Sequence, residues 1–228
     1  MDQTFVTDLI QRNPVIPLLR LERLPDVLPL VEALQEGGMR AVEIWLPHPR
    51  AADVLDALRE HCSDITVGAG GVRSAAEVKQ ARALGVHYIS SPGLNPTVIQ
   101  ACAKWRIPCL PGVATTSELL LARELGLKQL ILYPAVLPGM RALAQNWYQL
   151  DPECRFVAQG RLSQAEAALW LELPNVSGVH AEWLADDEDL QRRQWRVITE
   201  KARRATLMPG IRKLGDAVMP PAASSEAA

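Results

Sequence analysis

The chain has 228 residues, 48% of them hydrophobic and 22% charged, with a formal net charge of −2, enough for one large core or two small ones. That balance argues against a nucleic-acid or polybasic membrane surface, no apolar run approaches the roughly 20 residues needed to span a bilayer, and the start MDQTFVTDLIQRNP shows no signal-peptide pattern. Cys62, Cys102, Cys109 and Cys154 are scattered without a CxxC pair, which points to reduced thiols in a cytoplasmic protein rather than a zinc site or a disulfide framework.

After an N-terminal helix, short β-rich runs recur: VIPLLR (15–20), AVEIWL (41–46), DITVGAG (64–70), VHYISSP (86–92), IPCLPG (107–112), KQLILYP (128–134), CRFVAQG (154–160) and VSGVHAEW (176–183). Their starts lie about 20–25 residues apart, the length of one strand–helix unit with short loops. The intervening segments read as amphipathic helices. LPDVLPLVEALQEGG ends on a glycine pair suited to a helix C-terminus. RSAAEVKQARALG opens on a serine with glutamate three residues later. TTSELLLARELG repeats that pattern with Thr116 or Ser117 leading, and SQAEAALWLEL does so with Ser163 and Glu166. The stretch DDEDLQRRQWRVITEKARRATLM reads as the eighth helix, acidic at its start and basic toward its end, in agreement with the helix dipole.

Eight alternating units predict parallel pairing closed into a (β/α)8 TIM barrel. A doubly wound nucleotide-binding sheet is disfavoured, because no G-x-G-x-x-G follows the first strand. The expected organisation is a single barrel domain over 1–207, followed by a Pro-rich, small-residue tail over 208–228 that is expected to be disordered.

In such barrels the reactive groups sit at the C-terminal ends of the strands. Lys128 enters the sixth strand at the opposite end, so it is expected on the bottom rim. Lys79 and Lys201 fall on outer helices, Lys104 precedes the fifth strand and Lys213 lies in the tail. The mouth therefore holds no expected lysine.

The stretches GGMRAVEIWL, VGAGGV, SSPGL, PGVATTSELLLARELGLK, LYPA and RFVAQG follow, in order and spacing, the landmarks of a known family. Over roughly residues 10–205 the chain resembles the 2-keto-3-deoxy-6-phosphogluconate / 4-hydroxy-2-oxoglutarate (KDPG/KHG) aldolases. The resemblance implies a (β/α)8 barrel, a homotrimer, no cofactor, and cleavage of a 2-keto-3-deoxy acid to pyruvate and an aldehyde through a lysine Schiff base. Matched residue by residue, the family's Schiff-base lysine falls on Ile131, and no hydrocarbon side chain supplies an amine.

Other departures accompany that one. The family's threonine after GAG is Gly71, and the arginine usual at the end of the second strand is Pro47. The phosphate-binding glycine pair after strand seven is Gly160-Arg161. The glycine-rich loop after strand eight reads His180-Ala181-Glu182. Backbone amides cradle phosphate only where nothing bulky blocks the approach, and a carboxylate there repels it; Arg161 and Glu182 could instead pair across the old phosphate site. Glu43, the family's acid/base position, is retained with Pro92 and Pro134. Arg20 on the first strand is a candidate carboxylate binder. Gly71, Pro92, Tyr133, Gln159, Gly160, Arg161 and Glu182 are expected to line the substrate site.

These residues leave three functions open. The first is a chain without Schiff-base activity that still binds a small 2-oxo acid, with Glu43 a relic buried against Arg20. The second is a lyase in which His180 and Glu182, pointing the same way two residues apart on a strand, join Glu43 and Gln159 around a divalent metal. The third is residual retro-aldol or decarboxylase activity through Glu43 and Arg20 alone, the arginine holding the carboxylate and Glu43 handling the proton.

Overall fold

A computed structural model describes residues 3–209 and 211; the expected tail beyond 211 lies outside the described residues. The strands are β1 (Val15–Ile16), β2 (Leu18–Leu19), β3 (Ala41–Trp45), β4 (Thr66–Gly70), β5 (Tyr88–Ser91), β6 (Cys109–Val113), β7 (Gln129–Leu132), β8 (Arg155–Ala158) and β9 (Val176–His180). All pair in parallel, in the order β1-β9-β8-β7-β6-β5-β4-β3-β2. β1 and β2 are two halves of one predicted strand, divided at Pro17. Proline has no N–H to donate to a ladder, and the chain changes neighbours there. Val15 and Ile16 pair with Val179 and His180, whereas Leu18 and Leu19 pair with Glu43 and Ile44. The divided strand thereby joins the last strand to the third and makes a (β/α)8-type TIM barrel.

The helices are α1 (Thr4–Arg12), α2 (Val27–Glu36), α3 (Ala51–His61), α4 (Ala75–Ala83), α5 (Pro96–Trp105), α6 (Thr116–Glu124), α7 (Met140–Leu150), α8 (Gln164–Leu171), α9 (Asp187–Gln191) and α10 (Trp195–Thr206). Ser74 caps α4 by accepting from the Glu77 N–H, and Ser163 with Glu166 forms a reciprocal box at α8. At α6 the cap is Thr115, not Thr116 or Ser117, because Glu118 must lie three residues on to reach back to the cap's own N–H. The expected eighth helix is two pieces, α9 and α10. The break falls at Arg193, whose φ of 51° lies in the left-handed region.

Strand alternation sorts the core into two parts. Val42 and Ile44, Leu130 and Leu132, and Phe156 and Ala158 face the helices in one large cluster. Ile16, Leu110, Ile131 and Val157, with Ile10 of α1, fill the barrel interior. α1 closes the N-terminal end of the barrel. There Gln3 Nε2 donates to the Cys109 and Gln129 carbonyls, and its Oε1 accepts from the Lys128 and Gln129 N–H groups at 2.7 and 3.0 Å. Lys128 sits at this end, as expected, exposed and 3.0 Å from Glu153. No helix among the described residues is long and apolar enough to cross a membrane, and all four cysteines are free thiols.

Candidate active site

The upper interior of the barrel is built by residues two apart on neighbouring strands. On β3, Glu43 and Trp45 share a face. On β4, Gly68 and Gly70 oppose them and leave room: a Cβ on Gly68 would overlap the Tyr88 ring, and one on Gly70 would overlap the Glu43 carboxylate. The glycines of TVGAG are therefore what lets a tyrosine and a glutamate fit inside a closed barrel.

Glu43 is fully buried. The Ser90 hydroxyl of β5 donates to its Oε1 at 2.7 Å. His180, at the end of β9 and also fully enclosed, places Nε2 3.5 Å from Oε2. Burial, and then the adjacent Glu43 carboxyl, push the Tyr88 phenol well above its ordinary pKa, which keeps that hydroxyl neutral. Ser90 and Tyr88 were not singled out in the sequence. Their signal was a serine and a tyrosine at strand parity in YISS, both directed to the interior.

Above this cluster the strand ends form a cavity of about 330 Å³ lined by Arg20, Trp45, Tyr133, Pro134, Val136, Gln159, Gly160, Arg161 and Glu182. Glu43 and His180 are not in that lining; Trp45 is. Gly71 does not line the cavity either. Its φ is +74°, and a Cβ there would lie 2.6 Å from the Trp45 ring, so the indole occupies the space that a side chain at 71 would take. Pro92 is likewise displaced from the expected lining, with its carbonyl packed against the backbone of Gly112.

The pairing expected between Glu43 and Arg20 is replaced by another. Arg20 follows β2 at the mouth, with its guanidinium 5.0 Å over the Trp45 ring and Nη1 3.0 Å from Glu182 Oε2. Glu43 lies one strand repeat deeper than Trp45 and finds Ser90 and His180 instead. Arg161 and Glu182 do meet, through the main chain: the Arg161 N–H donates to Glu182 Oε1 at 3.2 Å, while the guanidinium, 81% exposed, stands 3.9 Å away. Gly160 and Arg161, at φ 143° and 52°, turn that N–H toward the carboxylate.

The structure does not bring His180 and Glu182 together as a chelate. Two residues on one strand point the same way only while the strand continues, and β9 ends at His180; Glu182 opens a 3-10 turn over Glu182–Ala185. Among the described residues no group of three or more His, Cys, Asp or Glu side chains could hold a metal. Ile131 is fully buried in the apolar interior layer with Ile16, Leu110 and Val157, and Tyr133 packs against it.

This geometry has close counterparts. Residues 6–201 match the model of the KDPG and KHG aldolase family. The 2-dehydro-3-deoxy-phosphogluconate aldolase of Treponema pallidum is 29% identical over 206 residues, 90% of this chain and 98% of that protein. The KHG/KDPG aldolase of Escherichia coli is 30% identical over 207 residues, 89% of this chain and 95% of that one. The crystal structure of the KDPG aldolase of Legionella pneumophila, with pyruvate captured as a covalent carbinolamine, superposes with a TM-score of 0.83 at 31% identity, covering 86% of this chain and 95% of that chain. The Zymomonas mobilis enzyme solved with 3-phosphoglycerate gives 0.82 at 27% identity, covering 91% and 97%. Likeness of this extent, in sequence and in fold, means that the chain belongs to the KDPG and KHG aldolase family.

Proposed function

We propose that this chain is a family member that forms no lysine imine and instead holds a small 2-oxo acid in the mouth cavity. One observation carries the reading: the position of the expected Schiff-base lysine is Ile131, fully buried in a layer of hydrocarbon. A carbinolamine of the kind captured in the Legionella relative is the adduct of a primary amine on a ketone, so its formation requires an amine beside the carbonyl.

The described lysines stand elsewhere. Lys79 and Lys104 are exposed on α4 and α5, and Lys128 is on the far rim. Lys201 is held by Asp186 at 2.6 Å and by Asp189. Burial alone would lower its pKa, but the two carboxylates outweigh that and hold it above the ordinary value. A protonated amine is not a nucleophile.

The cavity nonetheless offers what a small oxo acid needs. Arg20 presents a guanidinium to a carboxylate, and Tyr133 and Gln159 supply polar groups beside the indole of Trp45. The trimer and the cytoplasmic setting implied by the resemblance belong to this reading; light scattering of the purified protein tests the trimer.

The test is incubation with pyruvate and borohydride, read by intact mass, beside calorimetric titration with pyruvate. The expected result is saturable binding and an unchanged mass. A reduced pyruvyl adduct on any lysine overturns the absence of imine chemistry.

A second reading, a decarboxylase or lyase working through Glu43, is favoured by the 3.5 Å approach of the buried Glu43 carboxyl and the His180 imidazole, two residue types that serve general acid–base chemistry. It ranks second because Glu43 does not line the cavity. Oxaloacetate turnover by the wild type and by Glu43→Gln decides it: equal rates remove the carboxyl from any reaction.

A further inference from the structure

The mouth contains an anion site that is already filled, by a side chain of the protein itself. Glu182 uses both carboxylate oxygens. Oε2 accepts from Arg20 Nη1 at 3.0 Å, and Oε1 accepts from the Arg161 backbone N–H at 3.2 Å. A guanidinium and a main-chain N–H converging on two oxygens of one group is how a protein grips a carboxylate or a phosphate. The Glu182 side chain is only 17% exposed, so this carboxylate is settled among its donors rather than lying loosely on the surface.

The Arg20–Glu182 pair is also a shared wall. The 330 Å³ cavity lies on one side, toward Trp45, Tyr133 and Gln159. On the other a smaller space of about 180 Å³ is lined by Leu18, Ala185, Asp186 and Asp187 together with the same pair and Arg161. The charges facing the wall are therefore Arg20 and Arg161 against Glu182, Asp186 and Asp187, with Asp186 bound to Lys201. A guanidinium carries five N–H donors. The bond to Glu182 uses Nη1, and Arg20 also borders the larger cavity.

We propose that Glu182 is the specificity-determining residue of the mouth. It occupies from within the place where a second anionic group of a ligand would bind, and so restricts the cavity to 2-oxo acids with one carboxylate and an uncharged remainder. This rests on the reading of the mouth as an oxo-acid site and names the class it admits. The single carboxylate engages the part of Arg20 that faces the cavity. A phosphate on the same ligand meets a carboxylate where it needs donors, and like charges at such separations repel strongly in a partly desolvated site.

The experiment compares wild type, Glu182→Gln and the double variant Arg20→Gln/Glu182→Gln by calorimetric titration with pyruvate and, separately, with 3-phosphoglycerate. Glutamine keeps the size of glutamate and an oxygen for the Arg161 N–H while removing the charge. Glu182→Ser is made alongside and reads the same gain should the glutamine variant misfold. Wild type is expected to bind pyruvate and to bind 3-phosphoglycerate at least about tenfold more weakly. Glu182→Gln is expected to gain about tenfold or more for 3-phosphoglycerate, and to gain more for that ligand than for pyruvate. The double variant is expected to lose the gain.

Equal affinity of wild type and Glu182→Gln for 3-phosphoglycerate overturns the proposal. If pyruvate binds both proteins without that gain, the role of Glu182 falls and the oxo-acid reading stands. If the gain occurs but pyruvate binds neither, the role of Glu182 stands and the oxo-acid reading falls. If neither ligand binds any of the proteins, both fall.

Discussion

Glu43 Oε2 and His180 Nε2 face each other at 3.5 Å from opposite sides of the divided first strand, both side chains wholly removed from solvent. Replacing either leaves its partner enclosed without this contact. His180→Ala is expected to cost about 2–4 kcal/mol, through the lost contact and the space left behind, a fall in Tm of roughly 5–15 °C. Glu43→Gln keeps the shape and the Ser90 bond, so its cost should be smaller. In a double-mutant cycle measured by urea unfolding, the pair should couple by about 0.5–3 kcal/mol. Strict additivity means that the two groups do not interact.

The lower end of the barrel depends on one side chain in the same way. Gln3 bonds four main-chain groups of β6 and β7 or the residue before β7, at 2.7 to 3.2 Å. Gln3→Ala leaves those carbonyls and N–H groups without their partner under a helix that keeps water out. The expected loss is about 2–4 kcal/mol, with hydrogen exchange at Lys128 and Gln129 accelerated more than at β3. Protection unchanged at those two amides shows that α1 closes the barrel without Gln3.

The barrel could be read in the sequence because its period is local: each strand run is followed by a helix with its own cap, and parallel pairing with helical crossovers follows from that alternation. What could not be read was set by geometry between segments. Pro17 shows as a proline, but only the ring closure reveals that the chain changes partner there. The strand parity that directs Glu43 inward was visible, whereas the depth that separates it from Arg20 was not. His180 and Glu182 looked like a two-residue comb because nothing in VSGVHAEW marks where the strand ends. That none of the lysines among the described residues stands at the mouth, by contrast, could be anticipated from their places in the sequence and from which strand end faces up.

Acid unfolding should depend on Asp151. Burial alone would raise its pKa, but the Glu153 backbone N–H and the Arg123 guanidinium outweigh that and hold it below the ordinary carboxylate value. A carboxyl whose folded pKa is depressed contributes stability above its unfolded pKa of about 3.9 and loses that contribution as the pH falls through the lower folded value. Arg123 ion-pairs with Asp151 and, at 2.9 Å, with Glu153. Arg123→Gln should therefore destabilise by about 0.5–1.5 kcal/mol at pH 7. The difference from wild type should shrink as the pH drops below about 4. A difference that stays constant down to pH 2 assigns the effect of Arg123 to packing.

The position of Ile131 can be tested by placing an amine there. The residue is fully buried among Ile10, Ile16, Leu110 and Val157, with Tyr133 against it. Tyr133 is two residues further along the chain and borders the cavity, so the floor of the cavity lies about one strand repeat, roughly 6–7 Å, above residue 131. A lysine side chain spans about that distance, carrying its ammonium upward while its methylenes replace the isoleucine in the apolar layer. Ile131→Lys should therefore fold with a loss of about 2–4 kcal/mol from partial burial of the amine. The same burial lowers a lysine's pKa and leaves more of it as the free base that attacks a ketone. The expected outcome is a borohydride-trapped pyruvyl adduct on the variant, mapped to residue 131, and none on the wild type. A folded variant that takes up no pyruvate would mean that the cavity does not bring a carbonyl over this strand end, and the oxo-acid reading of the mouth would fall.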